Sequence, residues 1–341
     1  MHGSMVIKEI EKILIDGLAA HKSGQLDKAE RLYEQVLEKD SQNADAWHLL
    51  GSLAHIRGNL SEAHKKIQHA LKLEPRFPEA LNSLGNVLAD QKKLDAALEA
   101  YSYALEIHSD FGEVFANRGE ILRCIGNLDA AVVDCRKAIE LQPALAIGHG
   151  NLAAVFMDLK DWEAAYSELK EATRLAPDEA IFSINLAKSC VQLNRSEEAL
   201  KAADVATTLC PNAADALNSL GSVYYELLDY ERAEKIYRKA LSLEPEHTNT
   251  LNNLGNVLAR KNLLSAAEEN FGRSLTIDPK RPDILTNLGG VLQAQGRLDE
   301  ALETFDQALK LDPEYADGYW NRSLARLVTG DLIGGFEDYE W

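Results

Sequence analysis

Apolar residues recur along this chain at helical spacing, in pairs of segments that a short polar turn separates. Residues 216–245, ALNSLGSVYYELLDYERAEKIYRKALSLEP, show the pattern. Their apolar or small residues lie three or four positions apart, first at Leu217, Leu220, Gly221 and Tyr224, and after the turn at Ala233, Tyr237 and Ala240. That spacing puts them on one face of an α-helix, and Pro245 then ends the second helix. The pattern predicts a hairpin of two antiparallel helices.

The hairpin recurs every 34 residues without an insertion. The repeats begin at Ile10, Ala44, Pro78, Gly112, Ala146, Ala180, Ala214, Thr248, Pro282 and Ala316. Position 20 is alanine in all nine complete repeats, and position 32 is proline in seven of them. Small residues at positions 8 and 20 let the two helices approach closely and leave room for a larger residue at position 24. Ala153 and Ala187 replace the usual glycine at position 8, so we expect hairpins 5 and 6 to pack slightly wider.

A period of 34 with the pattern W-x2-L-G-x2-Y, A-x3-F and then P is typical of the tetratricopeptide repeat. The matching residues are Trp47, Leu50 and Gly51, then Ala301 and Phe305, and Pro313. From residue 10 to its end the chain therefore resembles this family. The resemblance implies an all-α fold, a right-handed solenoid of antiparallel helix pairs with about nine and a half repeats.

Three segments follow from this register. Residues 1–9 are expected to be a tag remnant, MHGSM, with a short lead-in, and residues 10–315 form nine repeats. Residues 316–341 form a partial tenth repeat, whose second helix exposes Leu332, Phe336 and Tyr339. Natural arrays end in a polar capping helix. We therefore expect a further domain to follow the partial repeat.

In such a solenoid the first helices line a concave wall, and position 6 faces inward. From the third repeat on, this position carries a short polar side chain in every copy: Ser83, Asn117, Asn151, Asn185, Ser219, Asn253, Asn287 and Asn321. Asn252 and Asn256 widen the row in repeat 8. A carboxamide has two N–H donors and an acceptor oxygen, so a column of them could hold an extended peptide by its backbone. The alternative is that each asparagine bonds the neighbouring repeat and sets the stacking angle.

This column resembles the asparagine ladder in the repeat arm of O-GlcNAc transferases, where such residues hold the backbone of protein substrates. The matching tripeptides begin at Asn117, Asn151, Asn185, Asn253 and Asn287. The final GDLIGGFEDYEW resembles the junction between bacterial tetratricopeptide arrays and a glycosyltransferase domain. These likenesses imply a substrate-recruiting arm. The second function class is a free-standing scaffold that assembles a complex or self-associates, for instance as a homodimer through its C-terminal end.

Charge and composition limit the classes of partner that the chain could bind. Lys and Arg number 36 against 54 Asp and Glu, a net charge of -18, which argues against nucleic acid or an anionic membrane. A neutral or basic protein segment fits better, although acids at position 2 could simply complement helix dipoles. No apolar run is long enough to cross a bilayer. The four cysteines lack a CxxC spacing, as in a reducing compartment, so we expect a cytoplasmic protein.

The chain shows no motif for catalysis. It lacks a glycine-rich phosphate loop, HExxH and GxSxG, so we expect no enzymatic activity and no cofactor. His21, His48 and His55 face inward near Asp45, but histidines on one wall are more often mere neighbours, and we expect no metal. Two inward aromatic residues, Tyr225 and Trp320, are candidate anchors for a partner.

Overall fold

The computed structural model describes residues 2–341, with side chains from residue 7 onward. Those residues form helices and no strand, so the all-α prediction is confirmed. The helices are α1 His2–Lys22, α2 Leu26–Lys39, α3 Ala44–Ile56, α4 Leu60–Leu73, α5 Pro78–Asp90, α6 Leu94–Ile107, α7 Gly112–Cys124, α8 Leu128–Leu141, α9 Ala146–Asp158, α10 Trp162–Leu175, α11 Ala180–Gln192, α12 Ser196–Leu209, α13 Ala214–Glu226, α14 Tyr230–Leu243, α15 Thr248–Arg260, α16 Leu264–Ile277, α17 Pro282–Ala294, α18 Leu298–Leu311, α19 Ala316–Thr329 and α20 Leu332–Tyr339.

From the second repeat onward, every predicted repeat start is the first residue of a helix. The first repeat differs, because α1 begins at His2 and runs through Ile10 without a break. The lead-in is therefore part of the first helix. Ile7, Ile10 and Leu14 continue the helical spacing across the boundary, and no proline interrupts it.

The chain divides into two units, Met1–Leu175 and Ala176–Trp341. The first contains α1 to α10 and the second α11 to α20. Within each unit the two helices of a repeat pack as a hairpin, and the second helix also contacts the first helix of the next hairpin. The core of each unit is thus a series of apolar layers, within and between hairpins.

Inside the hairpins the predicted packing is present. Gly85 lies against Tyr101, Gly255 against Phe271 and Gly289 against Phe305, and a Cβ at any of these glycines would overlap the ring. The three rings are almost completely buried. Hairpin 5 has Ala153 and Leu169 at these positions and hairpin 6 has Ala187 and Ala203, all fully buried. Their wider packing stays a prediction.

Two hairpins replace an apolar contact with an ion pair. In hairpin 4, Arg118 donates two hydrogen bonds to Asp134, at 2.6 and 2.9 Å. Arg322 donates to Asp338 in the same way in hairpin 10, at 2.8 and 2.6 Å. Both aspartates are buried. The pair ties α20 to α19, so the tenth hairpin has the architecture of the others.

The outer face of α20 is apolar. Leu332, Ile333, Phe336 and Tyr339 are each more than half exposed, and so is Trp341 beside it. Gly335 is buried against Leu327. The predicted exposure of this helix is confirmed.

Candidate functional site

One face of each first helix is formed by positions 5, 6, 9, 12 and 13, which include polar side chains in repeats 2 to 9 and are mostly apolar in repeats 1 and 10. We call this face the first-helix wall. Its members lie three or four residues apart along a helix, as residues on one face must. Hydrogen bonds between successive hairpins show that their walls adjoin within each unit.

In unit Met1–Leu175, position 6 of one repeat bonds position 5 of the repeat before it. Asn117 Nδ2 donates to Asn82 Oδ1 at 3.0 Å. Position 5 of the next contact is an alanine, and there Asn151 Nδ2 donates to the carbonyl oxygen of Ala116 at 2.9 Å. At the start of the row, Ser83 Oγ lies 2.8 Å from His48 Nε2.

The second unit repeats the contact with asparagine on both sides. Asn253 Nδ2 donates to Asn218 Oδ1, and Asn287 Nδ2 donates to Asn252 Oδ1, each at 3.0 Å. The last member differs, since Asn321 donates to the carbonyl of Asp317 on its own helix, at 2.7 Å. Three further members lie half-buried on the same wall: Asn185, Ser219 and Asn256.

The row therefore stacks the repeats, as the alternative interpretation requires. Asn249, next to it, also bonds across repeats, because its Oδ1 accepts from Arg281 at 3.0 Å. Yet each contact uses one of the two N–H donors of the carboxamide. Among the described residues, the Oδ1 atoms of Asn117, Asn253 and Asn287 have no partner, and these side chains are half-buried. The wall thus presents carboxamides whose orientation is fixed and whose bonding capacity is partly free.

A second row of polar contacts runs along positions 12 and 13. His55 Nε2 lies 2.6 Å from Asp90 Oδ2, and Arg123 bonds both Glu120 and Asp158, at 2.8 and 2.7 Å. Arg123 thus neutralises two of the acids on this wall, and His55 contacts a third. The local field is weaker than the acid count suggests.

Two lysines on the wall, Lys22 and Lys188, form no ion pair among the described residues. Lys188, at position 9 of repeat 6, is half-buried, and burial lowers the pKa of its ammonium group. Near the N-terminal end of the chain, burial and the charge of Glu79 raise the pKa of Asp45. Both shifts have the sign expected of charges that leave water.

The inward histidines do not converge on one point. His21 lies 3.4 Å from the Tyr33 hydroxyl, whereas His48 and His55 bond Ser83 and Asp90. Burial, and second the charge of His21, lower the pKa of His48 to about 4. Within the described residues, no three His, Cys, Asp or Glu side chains are placed to hold a metal ion.

The two candidate aromatic anchors have different surroundings. The Tyr225 hydroxyl accepts from Arg260 Nε at 3.2 Å, so it joins two repeats. Trp320 is 49% exposed and its ring centre lies 5.3 Å from that of Tyr339. Only Trp320 therefore offers a large free apolar surface.

Sequence reasoning missed the acceptors on position 5. Asn82 and Asn218 hold the carboxamides of the next repeat, and neither was a predicted site residue. The signal was available: asparagine at position 5 is followed 35 residues later by asparagine at position 6, in each of the three Asn–Asn contacts. Only knowledge of the stacking would have connected the two positions.

No helix of the described residues is both long and apolar enough to span a bilayer. A search of the curated proteins found no match. Among solved structures, the chain is similar to PilF of Pseudomonas aeruginosa, with a TM-score of 0.49 and 20% identity over 57% of this chain and 88% of that one. It is also similar to yeast Tom70, with a TM-score of 0.52 and 15% identity over 98% of this chain and 91% of that one. At such identities the likeness concerns the fold alone.

Family models of the tetratricopeptide repeat match most of the sequence. The matched residues are 17–64, 57–110 and 151–214 for one model, and 212–280, 112–145 and 291–330 for three others. These matches agree with the period of 34 and with the helix pairs of the structure. The chain therefore belongs to the tetratricopeptide-repeat family.

Proposed function

We propose that this chain is a protein-binding scaffold that holds an extended, neutral or basic peptide segment along its first-helix wall. The observation that carries the proposal is the row of half-bonded carboxamides. Asn253 and Asn287 each keep one N–H donor and the Oδ1 acceptor free after the inter-repeat bond. An extended backbone offers the complementary carbonyl and N–H groups.

The inter-repeat bond adds to the binding strength of such a row. A free asparagine side chain loses rotamer freedom when it binds, and that loss opposes association. Here Asn218 and Asn252 hold the carboxamides before the partner arrives. Because backbone groups are the same in every protein, the row favours an extended conformation without selecting a sequence.

The charge of the chain supports the chemistry of the partner. A net charge of -18 repels acidic segments and attracts basic ones. Pairing within the wall, as between Arg123 and Asp158, reduces the contribution of individual acids near the carboxamides. A neutral or basic segment with few acidic side chains therefore suits the wall.

Two matched double variants test the proposal. The probe is the tightest binder selected against this chain from a library of unstructured dodecapeptides. Asn253→Ala with Asn287→Ala removes two inter-repeat bonds and the two position-6 carboxamides that keep free bonding groups, whereas Asn218→Ala with Asn252→Ala removes the same two bonds through their position-5 acceptors and leaves Asn253 and Asn287 in place. We expect the first pair to weaken binding more than tenfold, at about 1 kcal/mol per lost bond, and the second pair to weaken it less.

Equal affinity losses in the two variants, measured by titration calorimetry, would mean that stacking alone matters and would contradict the proposal. Circular dichroism checks that both variants keep the helical content of the parent. A selected peptide whose binding is insensitive to both pairs would contradict the proposal too.

Two finer predictions belong to this proposal. Recruitment of substrates for an O-GlcNAc-transferase-like glycosyltransferase rests on the sequence resemblance, and none of the similar proteins above supports it.

A homodimer through the C-terminal end is favoured by the exposed face of α20, with Leu332 and Phe336 each 58% exposed. Light scattering over a concentration series checks the dimer, and Phe336→Glu should abolish it. A mass that does not depend on concentration would contradict it.

A further inference from the structure

We call the contact region between two neighbouring hairpins a seam. Three seams contain the same polar contact, close to the turns within the hairpins. A side chain at position 14 or 16 of one repeat donates to a glutamate at position 21 of the repeat before it. These contacts measure 2.7 to 3.0 Å and join Arg57 to Glu30, Lys261 to Glu234, and both Gln295 and Arg297 to Glu268. The glutamate thus neutralises a cation and accepts the hydrogen bonds that the seam offers.

Hairpins 2 and 3 keep the donors of this contact and lack its carboxylate. Gln91 and Lys93 occupy positions 14 and 16, as Gln295 and Arg297 do, but position 21 is His64. Gln91 Nε2 turns to the carbonyl oxygen of Leu60 at 3.2 Å. Gln91 Oε1 and His64 Nδ1 are left buried without a hydrogen-bond partner among the described residues. Buried polar atoms seldom stay unpaired. The imidazole nitrogen of His64 can donate to an anion when it is protonated, whereas Gln91 Oε1 is an acceptor and needs a donor such as a lysine ammonium.

The same place carries an uncompensated positive charge. Ser61, His64, Lys65, Gln91 and Lys93 line an open pocket. Within the described residues, neither lysine forms an ion pair, and burial followed by the charge of Lys93 lowers the pKa of His64. Two lysines without an ion pair and an imidazole therefore line one pocket of a chain whose net charge is -18.

One neighbouring carboxylate is engaged elsewhere, since Glu62 accepts from Lys66 at 3.0 Å and from Asn59 at 2.7 Å. The helix α6 begins just after Lys93, and no side chain is bonded to its first N–H groups, although Asp95 lies in its first turn. Free N–H groups and the dipole at a helix start favour an anion nearby.

We propose that this pocket binds a phosphoryl oxyanion, which takes the place that Glu268 fills between hairpins 8 and 9. Two ammonium groups match the charge of a phosphate dianion. The Ser61 hydroxyl and the His64 imidazole supply further donors for its oxygens. A single carboxylate would satisfy fewer of these groups. The ligand is either free phosphate or a phosphate ester on a bound protein segment.

The test follows the backbone amide signals of Ser61, Lys65 and Lys93 and the imidazole signals of His64 by NMR. Inorganic phosphate should shift them with a dissociation constant in the millimolar range and should raise the pKa of His64, because a bound dianion stabilises the imidazolium. Acetate and chloride at the same ionic strength should leave them nearly unchanged. Equal shifts with these anions would overturn the proposal. A further titration with N-acetyl-O-phosphoserine amide distinguishes the sources: tighter binding than phosphate indicates a phosphorylated segment, and weaker binding indicates free phosphate.

Two variants and a control complete the experiment. His64→Glu rebuilds the contact of hairpins 8 and 9, so it should lower phosphate affinity at least tenfold while leaving the melting temperature unchanged or higher. Lys65→Met with Lys93→Met should cause a similar loss, whereas Lys235→Met, at the position of Lys65 in repeat 7, should bind phosphate as the parent does. Parental phosphate affinity in His64→Glu, with the fold intact, would overturn the proposal, since the pocket would then not be the site.

Discussion

The interior of a hairpin and the seam between hairpins follow different rules, as two adjacent glycines of α17 show. Gly289, at position 8, faces into its hairpin, where a Cβ would overlap the Phe305 ring. Gly290, at position 9, lies on the first-helix wall, and a Cβ there would have no heavy atom within 4 Å. Inside the hairpins a small residue at positions 8 and 20 recurs along the chain, whereas the polar contacts between hairpins change from one pair of neighbours to the next. The interiors fix the fold, and the seams are free to carry recognition.

The largest expected effect separates these two glycines. Gly289→Ala should lower the free energy of unfolding by about 3 kcal/mol, because the buried ring cannot move away. Gly290→Ala should raise it by roughly 0.5–1 kcal/mol, since alanine favours a helix over glycine and meets no obstacle. Urea denaturation followed by circular dichroism measures both. Equal changes in the free energy of unfolding would contradict the difference between the hairpin interior and the first-helix wall.

A second substitution at Phe305 should partly restore the stability lost in Gly289→Ala. Hairpin 5 already combines alanine at position 8 with a smaller side chain at position 24, in Ala153 and Leu169. Adding Phe305→Leu to Gly289→Ala should therefore recover part of the loss, although Phe305→Leu alone destabilises. A double variant that is as unstable as the sum of the two single ones would exclude the packing explanation.

The second effect concerns pH at the contact between hairpins 2 and 3. His48 stands where three other hairpins have asparagine, and burial lowers its pKa to about 4 from an ordinary 6.5. Between these values the unfolded chain binds a proton that the folded chain does not. The free energy of unfolding should therefore fall as the pH falls from 6.5 to 4, by up to about 3 kcal/mol. His48→Asn should remove this part of the pH dependence, and an unchanged profile would contradict the assignment.

The third prediction concerns the ion pair inside hairpin 4. Arg118→Leu leaves the buried carboxylate of Asp134 unpaired and should destabilise by about 2 kcal/mol. Adding Asp134→Ala recreates the apolar contact of hairpin 3, with Leu84 and Ala100, and should restore most of the loss. Thermal unfolding of the single and double variants measures the difference. A double variant that is less stable than Arg118→Leu alone would show that the apolar contact cannot replace the ion pair, and it would contradict this prediction.

The smallest effect compares two members of the asparagine row. Asn253→Ala removes a bond between repeats and should lower the free energy of unfolding by about 1 kcal/mol. Asn321 bonds only its own helix, so Asn321→Ala should change stability by less. Urea denaturation measures the free energy of unfolding of both variants. An equal or larger loss in Asn321→Ala would contradict the role of Asn253 in stacking the repeats.

The sequence predicted the fold because the packing inside a hairpin is local and recurs in every repeat. Alanine at position 20 and glycine at position 8 suffice to place the helix starts from Ala44 to Ala316. The start of α1 was harder to predict, since no proline or turn separates Ile10 from the preceding residues. The uniform register also gave no sign that the chain divides after Leu175.

The wall was only partly predictable. Its column at position 6 is visible in the sequence, but the partner of each member lies 35 residues earlier and depends on the stacking angle. The pocket at His64 was invisible for the same reason. The absence of a glutamate at His64 indicates a binding site only when the structure shows that Gln91 and Lys93 occupy the places of Gln295 and Arg297.

The proposed function requires one set of carboxamides both to stack the repeats and to bind an extended segment. The most direct test observes the side-chain NH2 signals of Asn253 and Asn287 in protein labelled with 15N at asparagine, while the selected peptide is added. Both pairs of signals should shift as the peptide saturates the wall. In the variant Asn218→Ala with Asn252→Ala, these shifts should still be detectable. Signals of Asn253 and Asn287 that stay unchanged at saturation would contradict the proposed function.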